Sequence, residues 1–332
     1  MIQHILVFEF ITGGGFSQQE LPDSLAKEGL LMLTALVDEL RSVPNIQLTV
    51  ILDWRIESIK LPDNSKIIRV SNQQNIDGLL SGLVDDFDFI WPIAPEMQGE
   101  LAKITQLFEK RNQHLLTSSS QAVAICSDKL LTAQSLSTQG IATISAVQLD
   151  KFTHQFQAPW VVKPKDGVGC LDSYYISNTS ELSLIRNKLT KASNFLIQPY
   201  LKGDVLSLSC LFKEGQAWLL CCNRQFVVIK NGQFKLENCT VNINTDRETE
   251  YQQLINQIAS IITGLSGYVG IDIIQPKDSP AAVLEINPRL TTSYAGINQS
   301  IGFNVAKAVI EMSENAPIIK KTKNEQIVVS IC

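Results

Sequence analysis

Two apolar runs near the C-terminal end constrain the fold most. Tyr268-Val269-Gly270-Ile271-Asp272-Ile273-Ile274 sets a single acid among apolar neighbours, and Ala281-Ala282-Val283-Leu284-Glu285-Ile286-Asn287-Pro288-Arg289 carries a carboxylate and an amide two residues apart. An acid buried in such a strand is costly without a cationic partner. Residues two apart on a strand face the same side. A hairpin through Pro276 to Pro280 would set Asp272 beside Glu285, so that Asp272, Glu285 and Asn287 converge as hard oxygen donors suited to Mg²⁺. Singly, Asp272 reads as a capped edge residue and Asn287-Pro288 as a turn. Jointly they point to a metal site.

The first third alternates strand and helix. Strands are expected at Ile5 to Ile11, Gln47 to Leu52, Lys66 to Val70, Phe87 to Ile93 and His114 to Thr117. Helices are expected at Glu28 to Arg41, Gln74 to Val84 and Met97 to Arg111. The pattern is a doubly wound α/β domain. A boundary falls at Ser118-Ser119-Ser120, followed by a helix from Asp128 to Thr138 with N-cap oxygens at Ser127-Asp128. From Trp160 strands dominate. Val205 to Phe212, Ala217 to Cys222, Gln225 to Ile229 and Gln233 to Glu237 read as an antiparallel meander, with Asn231-Gly232 as a hairpin turn. Helices at Glu181 to Thr190, Glu248 to Thr263 and Val305 to Met312 cover it, and a last strand runs from Ile327 to Ile331. This second region is α+β, and the expected domains span 1–117, 118–195 and 196–332.

Two further segments suit a nucleotide. Trp160 to Cys170 delivers Lys163 and Lys165 on an apolar strand and then a loop with Gly167 and Gly169. Glycines let backbone amides approach phosphate oxygens, and lysine adds a point charge. The loop lacks P-loop spacing. Phe195 to Asp204 reads as a buried strand entering a polar connection, where backbone groups can read an adenine edge and Asp204 can accept from ribose hydroxyls.

The order of these parts resembles the ATP-grasp superfamily over roughly residues 118 to 315. The resemblance implies ATP and Mg²⁺ (or Mn²⁺) as cofactors. Lys129 and Lys163 would contact phosphates, Gly167 to Cys170 would close over them, and Gln198 to Leu201, with Tyr200 among them, would bind adenine. Asp204 would hold the ribose, and Asp272, Glu285 and Asn287 would ligate metal. Arg289 would face the transferred phosphoryl group or the carboxylate substrate. The chain departs from the family pattern at Gln198-Pro199, where a glutamate is frequent, and at Cys170, where a serine is frequent. The implied chemistry is amide formation from a small-molecule carboxylate and an amine through an acyl phosphate. The alternatives are an ATP-grasp enzyme acting on bicarbonate or a nucleotide precursor, and a non-catalytic nucleotide-binding protein.

Candidate substrate contacts come from outside that region. The first strand runs into Glu9-Phe10-Ile11-Thr12-Gly13-Gly14-Gly15, another ends in Ala94-Pro95-Glu96, and Arg224 is a candidate clamp for a carboxylate or phosphate. The Glu-x-x-Thr-Gly-Gly-Gly opening with Ala-Pro-Glu looks like the tyramine–glutamate ligases of methanofuran biosynthesis and related one-carbon metabolism. That likeness implies glutamate as the activated carboxylate and an aromatic amine or amino acid as acceptor.

Composition narrows the rest. Of 332 residues, 45% are hydrophobic and 18% charged, so packed cores are expected. A net charge of -5 and the lack of a basic run give no reason to expect nucleic acid. No apolar stretch is long enough for a bilayer, so a cytoplasmic protein without a membrane partner is expected, a homodimer being one possible state. The seven cysteines form no C-x-x-C pair and the three histidines are scattered. They read as buried free thiols rather than zinc ligands or disulfides.

Overall fold

The computed structural model describes residues 2–111 and 113–330. The first domain comprises β1 (Gln3–Glu9), α1 (Asp23–Leu40), β2 (Ile46–Asp53), β3 (Lys66–Val70), α2 (Ile76–Leu83), β4 (Phe89–Ile93), α3 (Glu100–Glu109) and β5 (His114–Leu115). Its five strands form a parallel sheet in the order β3-β2-β1-β4-β5. Both faces are covered, as a parallel sheet requires. Ile5 and Val7 of β1 join the core under α1, while Leu6 and Phe8 join the core under α2 and α3.

Next come α4 (Ser120–Ser127), α5 (Lys129–Ser137), β6 (Val147–Gln148), β7 (Trp160–Pro164), β8 (Tyr174–Ile176), α6 (Thr179–Lys188) and β9 (Phe195–Pro199). The chain continues through β10 (Asp204–Lys213), β11 (Gln216–Lys230), β12 (Gln233–Val241), α7 (Glu248–Ile261), β13 (Gly267–Gln275), β14 (Ala282–Asn287), α8 (Tyr294–Ile301), α9 (Val305–Glu311) and β15 (Ile327–Ser330). These strands build one antiparallel sheet, β14-β13-β10-β11-β12-β8-β7-β9-β6, with β15 on β12. A small core around Trp160, Tyr174, Leu182 and Ile197 supports the β7–β9 end, and α4, α5 and α7 cover one face of the β10–β13 end.

The two domains share a core. Helix α1 packs on its own sheet and on α8 and α9. Buried Glu39 ties them: its Oε2 accepts from the Tyr294 hydroxyl at 2.8 Å and the Ala306 amide at 2.7 Å.

Several elements differ from expectation. Strand β1 stops at Glu9, because residues Ile11–Gly15 turn tightly. Strand β4 starts at Phe89 rather than Phe87 and holds Pro92 inside it; β5 pairs only with Phe89 and Ile90, so Pro92 sits beyond its reach and the missing N–H costs little. Residues Met97–Gly99 form a separate turn before α3. The expected 128–138 helix is α5 alone, capped by Asp128 accepting from Leu130 and Leu131 amides. The unexpected α4 precedes it, and the Ser119 hydroxyl caps α4. Two expected strands are one, β11, because Asn223 is buried mid-strand with its amide bonded to Ser207 and Ser209 and its oxygen to the Asn242 amide. Helix α8 had no counterpart in the sequence reading. Ile331 and Cys332 lie outside the described residues; the other six cysteines are free thiols.

Burial raises the Glu39 carboxyl to about 7, against the hydrogen bonds it accepts. A raised acid favours the folded state below its unfolded value near 4.5 and loses that stability as pH rises through about 7. Glu39→Gln keeps an acceptor without the charge. It should stabilise the protein at pH 8 by about 1–3 kcal/mol and leave pH 4 unchanged. Denaturant midpoints at the two pH values check this.

Candidate active site

A cleft of about 240 Å³ opens between the two domains and across the antiparallel sheet. One wall is the β13–β14 hairpin. Asp272 pairs directly with Glu285, and Gly270 with Asn287. The ladder slips after Asp272, leaving Leu284 without a partner. The bulge lets Leu284 and Glu285 both face the cleft although they are adjacent in sequence. Asp272 Oδ2 accepts from the Asn287 amide at 3.2 Å, and Oδ1 accepts from Gln225 Nε2 at 3.0 Å. The Asn287 side-chain oxygen makes none of these bonds.

Lysines face the carboxylates. Lys129, at the first turn of α5, reaches Glu285 Oε2 at 3.0 Å and donates to the Gly167 carbonyl at 2.7 Å. Lys163 is 7% exposed on β7. Burial lowers its ammonium to about 8, against the pull of Glu285. Burial also works against Glu285, but Lys129 and Lys163 hold that carboxyl down to about 2. Asp272 moves the other way: burial, then the adjacent Glu285 charge, push it well above the usual carboxylate range.

That imbalance tests the fit of a metal. Two carboxylates meet across one rung, and one is driven to keep its proton. A divalent cation would relieve this state. No three His, Cys, Asp or Glu residues gather as a cluster among the described residues. The donors here are two carboxylates and an amide oxygen, hard ligands suited to Mg²⁺ that also binds phosphate and water.

The loop after β7 forms another wall. Gly167, Gly169, Cys170, Leu171 and Ser173 line the cleft. Gly169 has φ +60°, a conformation most side chains resist. Asp166 accepts from the Gln98 amide at 3.0 Å, docking the loop on the first domain. Burial pushes the Cys170 thiol up to about 12, so it is no thiolate. Gln198, Tyr200 and Leu201 line the far end, where Tyr200 stacks on Phe234 at 6.4 Å between ring centroids. Val227 and Leu236 add apolar surface.

Arg289 follows β14 into the cleft. Its Nε and Nη2 donate to Glu96 Oε2 at 3.1 and 2.8 Å, and Nη1 donates to the Leu290 carbonyl at 3.0 Å.

The cleft thus gathers Lys129, Lys163, Gly167, Gly169, Gln198, Tyr200, Leu201, Asp272, Glu285, Asn287 and Arg289. Other candidates do not line it. The Lys165 backbone bridges Asn194 and Lys129, while its side chain is not in the wall. Arg224 and Asp204 face each other at 3.5 Å on a solvated surface. Glu9 is buried, accepting from the Thr12 amide at 2.7 Å and the Thr12 hydroxyl at 2.6 Å. The glycine run serves packing: a Cβ on Gly13 would stand 2.7 Å from the Phe8 ring, and one on Gly14, at φ +101°, 2.7 Å from Val70. Glu96 holds Arg289 and is not in the wall. Sequence reading missed Glu28 and Gln225. A polar residue inside an apolar strand run was the available signal for Gln225; none marked Glu28.

Oxygen donors on paired strands thus face two lysines across one cleft, with a glycine-bearing loop forming another of its walls. Residues 126–293 match the family model described as ATP-grasp domain, and residues 46–123 that of the pre ATP-grasp 3 domain. The tyramine–L-glutamate ligase of Methanocaldococcus jannaschii is 27% identical over 331 residues, 99% of this chain and 95% of that protein. The tyramine–L-glutamate ligase of Methanocaldococcus fervens is 25% identical, over 98% of this chain and 99% of that one. A crystal structure of an ATP-grasp superfamily protein from Archaeoglobus fulgidus superposes with TM-score 0.74 at 22% identity, covering 99% of this chain and 92% of that one. The chain belongs to the ATP-grasp family, a class of ATP-dependent carbon–nitrogen ligases. No helix among the described residues is long and apolar enough to cross a membrane.

MgADP at about 100 times its Kd should raise the thermal midpoint by about 5 °C. With Asp272→Asn and Glu285→Gln combined, ADP with or without Mg²⁺ should give equal, smaller shifts. Scanning fluorimetry with and without a chelator reads both.

Proposed function

We propose that this chain joins an amino-acid carboxylate, glutamate being the first choice, to an amine, spending ATP to form an acyl phosphate. The observation that carries this reading is the Asp272–Glu285 rung with Asn287, set opposite Lys129 and Lys163 in one cleft. Support for glutamate and an aromatic amine comes from two nearly full-length relatives named tyramine–L-glutamate ligase. The likeness of the Glu9 to Gly15 and Ala94 to Glu96 segments to such ligases is what supports a place in methanofuran-type one-carbon cofactor synthesis.

Roles for the chain's own residues follow from charge and position. Lys129 and Lys163 hold the β- and γ-phosphate oxygens, with Gly167 and Gly169 offering backbone close to them. Gln198, Tyr200 and Leu201 receive the adenine at the apolar end. Asp272, Glu285 and Asn287 would hold Mg²⁺, which when bound neutralises charge spreading over the phosphoryl oxygens. Arg289, fixed by Glu96, orients the carboxylate. Its oxygen takes the γ-phosphoryl group as the bond to the β-phosphate oxygen breaks, and ADP forms. A neutral amine then attacks the acyl carbon, phosphate leaves with the C–O electrons, and nitrogen loses a proton. No protein nucleophile is required, consistent with the protonated Cys170 thiol. The glycine loop, docked through Asp166, keeps water from the acyl phosphate.

ADP release should depend on both an amino-acid carboxylate and an amine, and the product should carry a new amide. Glu285→Ala should lower turnover by about 10³-fold while circular dichroism stays unchanged, since Glu285 serves the cleft rather than a core. Bicarbonate-dependent release in place of amine-dependent release would move the chain to another ATP-grasp chemistry.

A further inference from the structure

Three carboxylates from the first domain stand around Arg289, and their engagements differ. Glu96 gives Oε2 to the guanidinium. Glu9 is spent on Thr12 and Ile11. Glu28, at the N-terminal half of α1, lines the cleft and has neither a hydrogen bond nor an ion pair within 4.0 Å in the described structure. It nonetheless lies within electrostatic reach of Arg289, each charge favouring the other. Its Oε1 stands 3.8 Å from where a Cβ on Gly169 would be, which puts the carboxylate beside the phosphate-side loop. One cleft therefore presents a cation and an anion that lie close without pairing with each other. Left to themselves, such groups would close on each other; Arg289 is held back by Glu96 and by the Leu290 carbonyl. The gap between them complements a ligand with opposite charges a few bonds apart.

We propose that Glu28 is a specificity-determining residue that takes the ammonium group of the amino acid whose carboxylate is activated, while Arg289 takes that molecule's carboxylate end. This rests on the ligase reading above. The chemistry decides which of two substrate amines Glu28 holds. An ammonium against a carboxylate in a half-dry wall is kept protonated, and a protonated amine has no lone pair for attack. The amine bound by Glu28 is thus the one that must not react. The acceptor amine enters elsewhere and unprotonated. Glu28 would then both select amino acids over plain dicarboxylates and suppress their self-condensation.

The test compares glutamate with glutarate, which lacks the amine, and with N-acetylglutamate, in ADP-release assays with a fixed amine. Wild type should favour glutamate. Glu28→Gln should raise the KM for glutamate by about 10–100-fold, leave KM for ATP and for glutarate unchanged, and preserve the pH profile. Glu28→Asp should recover part of the loss. Equal loss with glutamate and glutarate, or a shifted pH profile, would overturn the proposal in favour of a general base. A raised KM for ATP alone would overturn it in favour of a loop contact. If wild type turns over none of these substrates, the ligase reading falls on its own. Calorimetric binding of glutamate in the presence of MgADP then judges Glu28 separately: binding lost in Glu28→Gln supports it, and equal binding in both overturns it.

Discussion

Two carboxylates on one rung of a hairpin is the constraint on which the rest of this molecule depends. Asp272 and Glu285 are paired by backbone register, so neither can retreat from the other without breaking the β13–β14 ladder. Their charge must be met from outside the hairpin. Lys129 comes from α5 and Lys163 from β7, elements far earlier in sequence that the fold brings to the same cleft. Gln225 on β11 and Asn287 on β14 satisfy the Asp272 oxygens that the lysines do not reach. The site is built from separate parts of the sheet because its charge cannot be balanced within one.

The first domain is a participant rather than an appendage. Helix α1 buries one face in the core that the two domains share and ties α8 and α9 to it through Glu39. Its Glu28 and Met32 line the cleft. Glu96, on the same domain, holds Arg289 across 193 residues of sequence. A substrate lodged against these groups touches rigid elements from both domains, which is how a fixed scaffold reduces the entropy lost on reaching the reactive geometry.

Much of this was legible in the sequence, and the physical reasons are specific. The Asp272–Glu285 neighbourhood followed from strand parity and a short Pro-bounded hairpin, both local rules. The doubly wound first domain followed from alternating periodicity. Three kinds of feature were not legible. Asn223 looked like a strand break because its partners, Ser207 and Ser209 on β10 and Asn242 just past β12, are distant in sequence. The glycines at 13 and 14 resembled a ligand loop, yet Phe8 and Val70 leave no room for side chains there. Glu28 had no local signature at all: its place in the cleft depends on how α1 docks between two sheets. Glu9 and Glu96 were noticed for their strand-end positions, and their neighbours have engaged them otherwise.

The central claim is that the hairpin carboxylates and the two lysines address one nucleotide. A crystal structure with ADP and Mg²⁺ tests it most directly. The account predicts metal density between Asp272, Glu285 and Asn287, diphosphate against Lys129 and Lys163, and adenine beside Tyr200 and Leu201. Nucleotide bound away from this cleft, or phosphates with no metal at the Asp272–Glu285 rung, would contradict it.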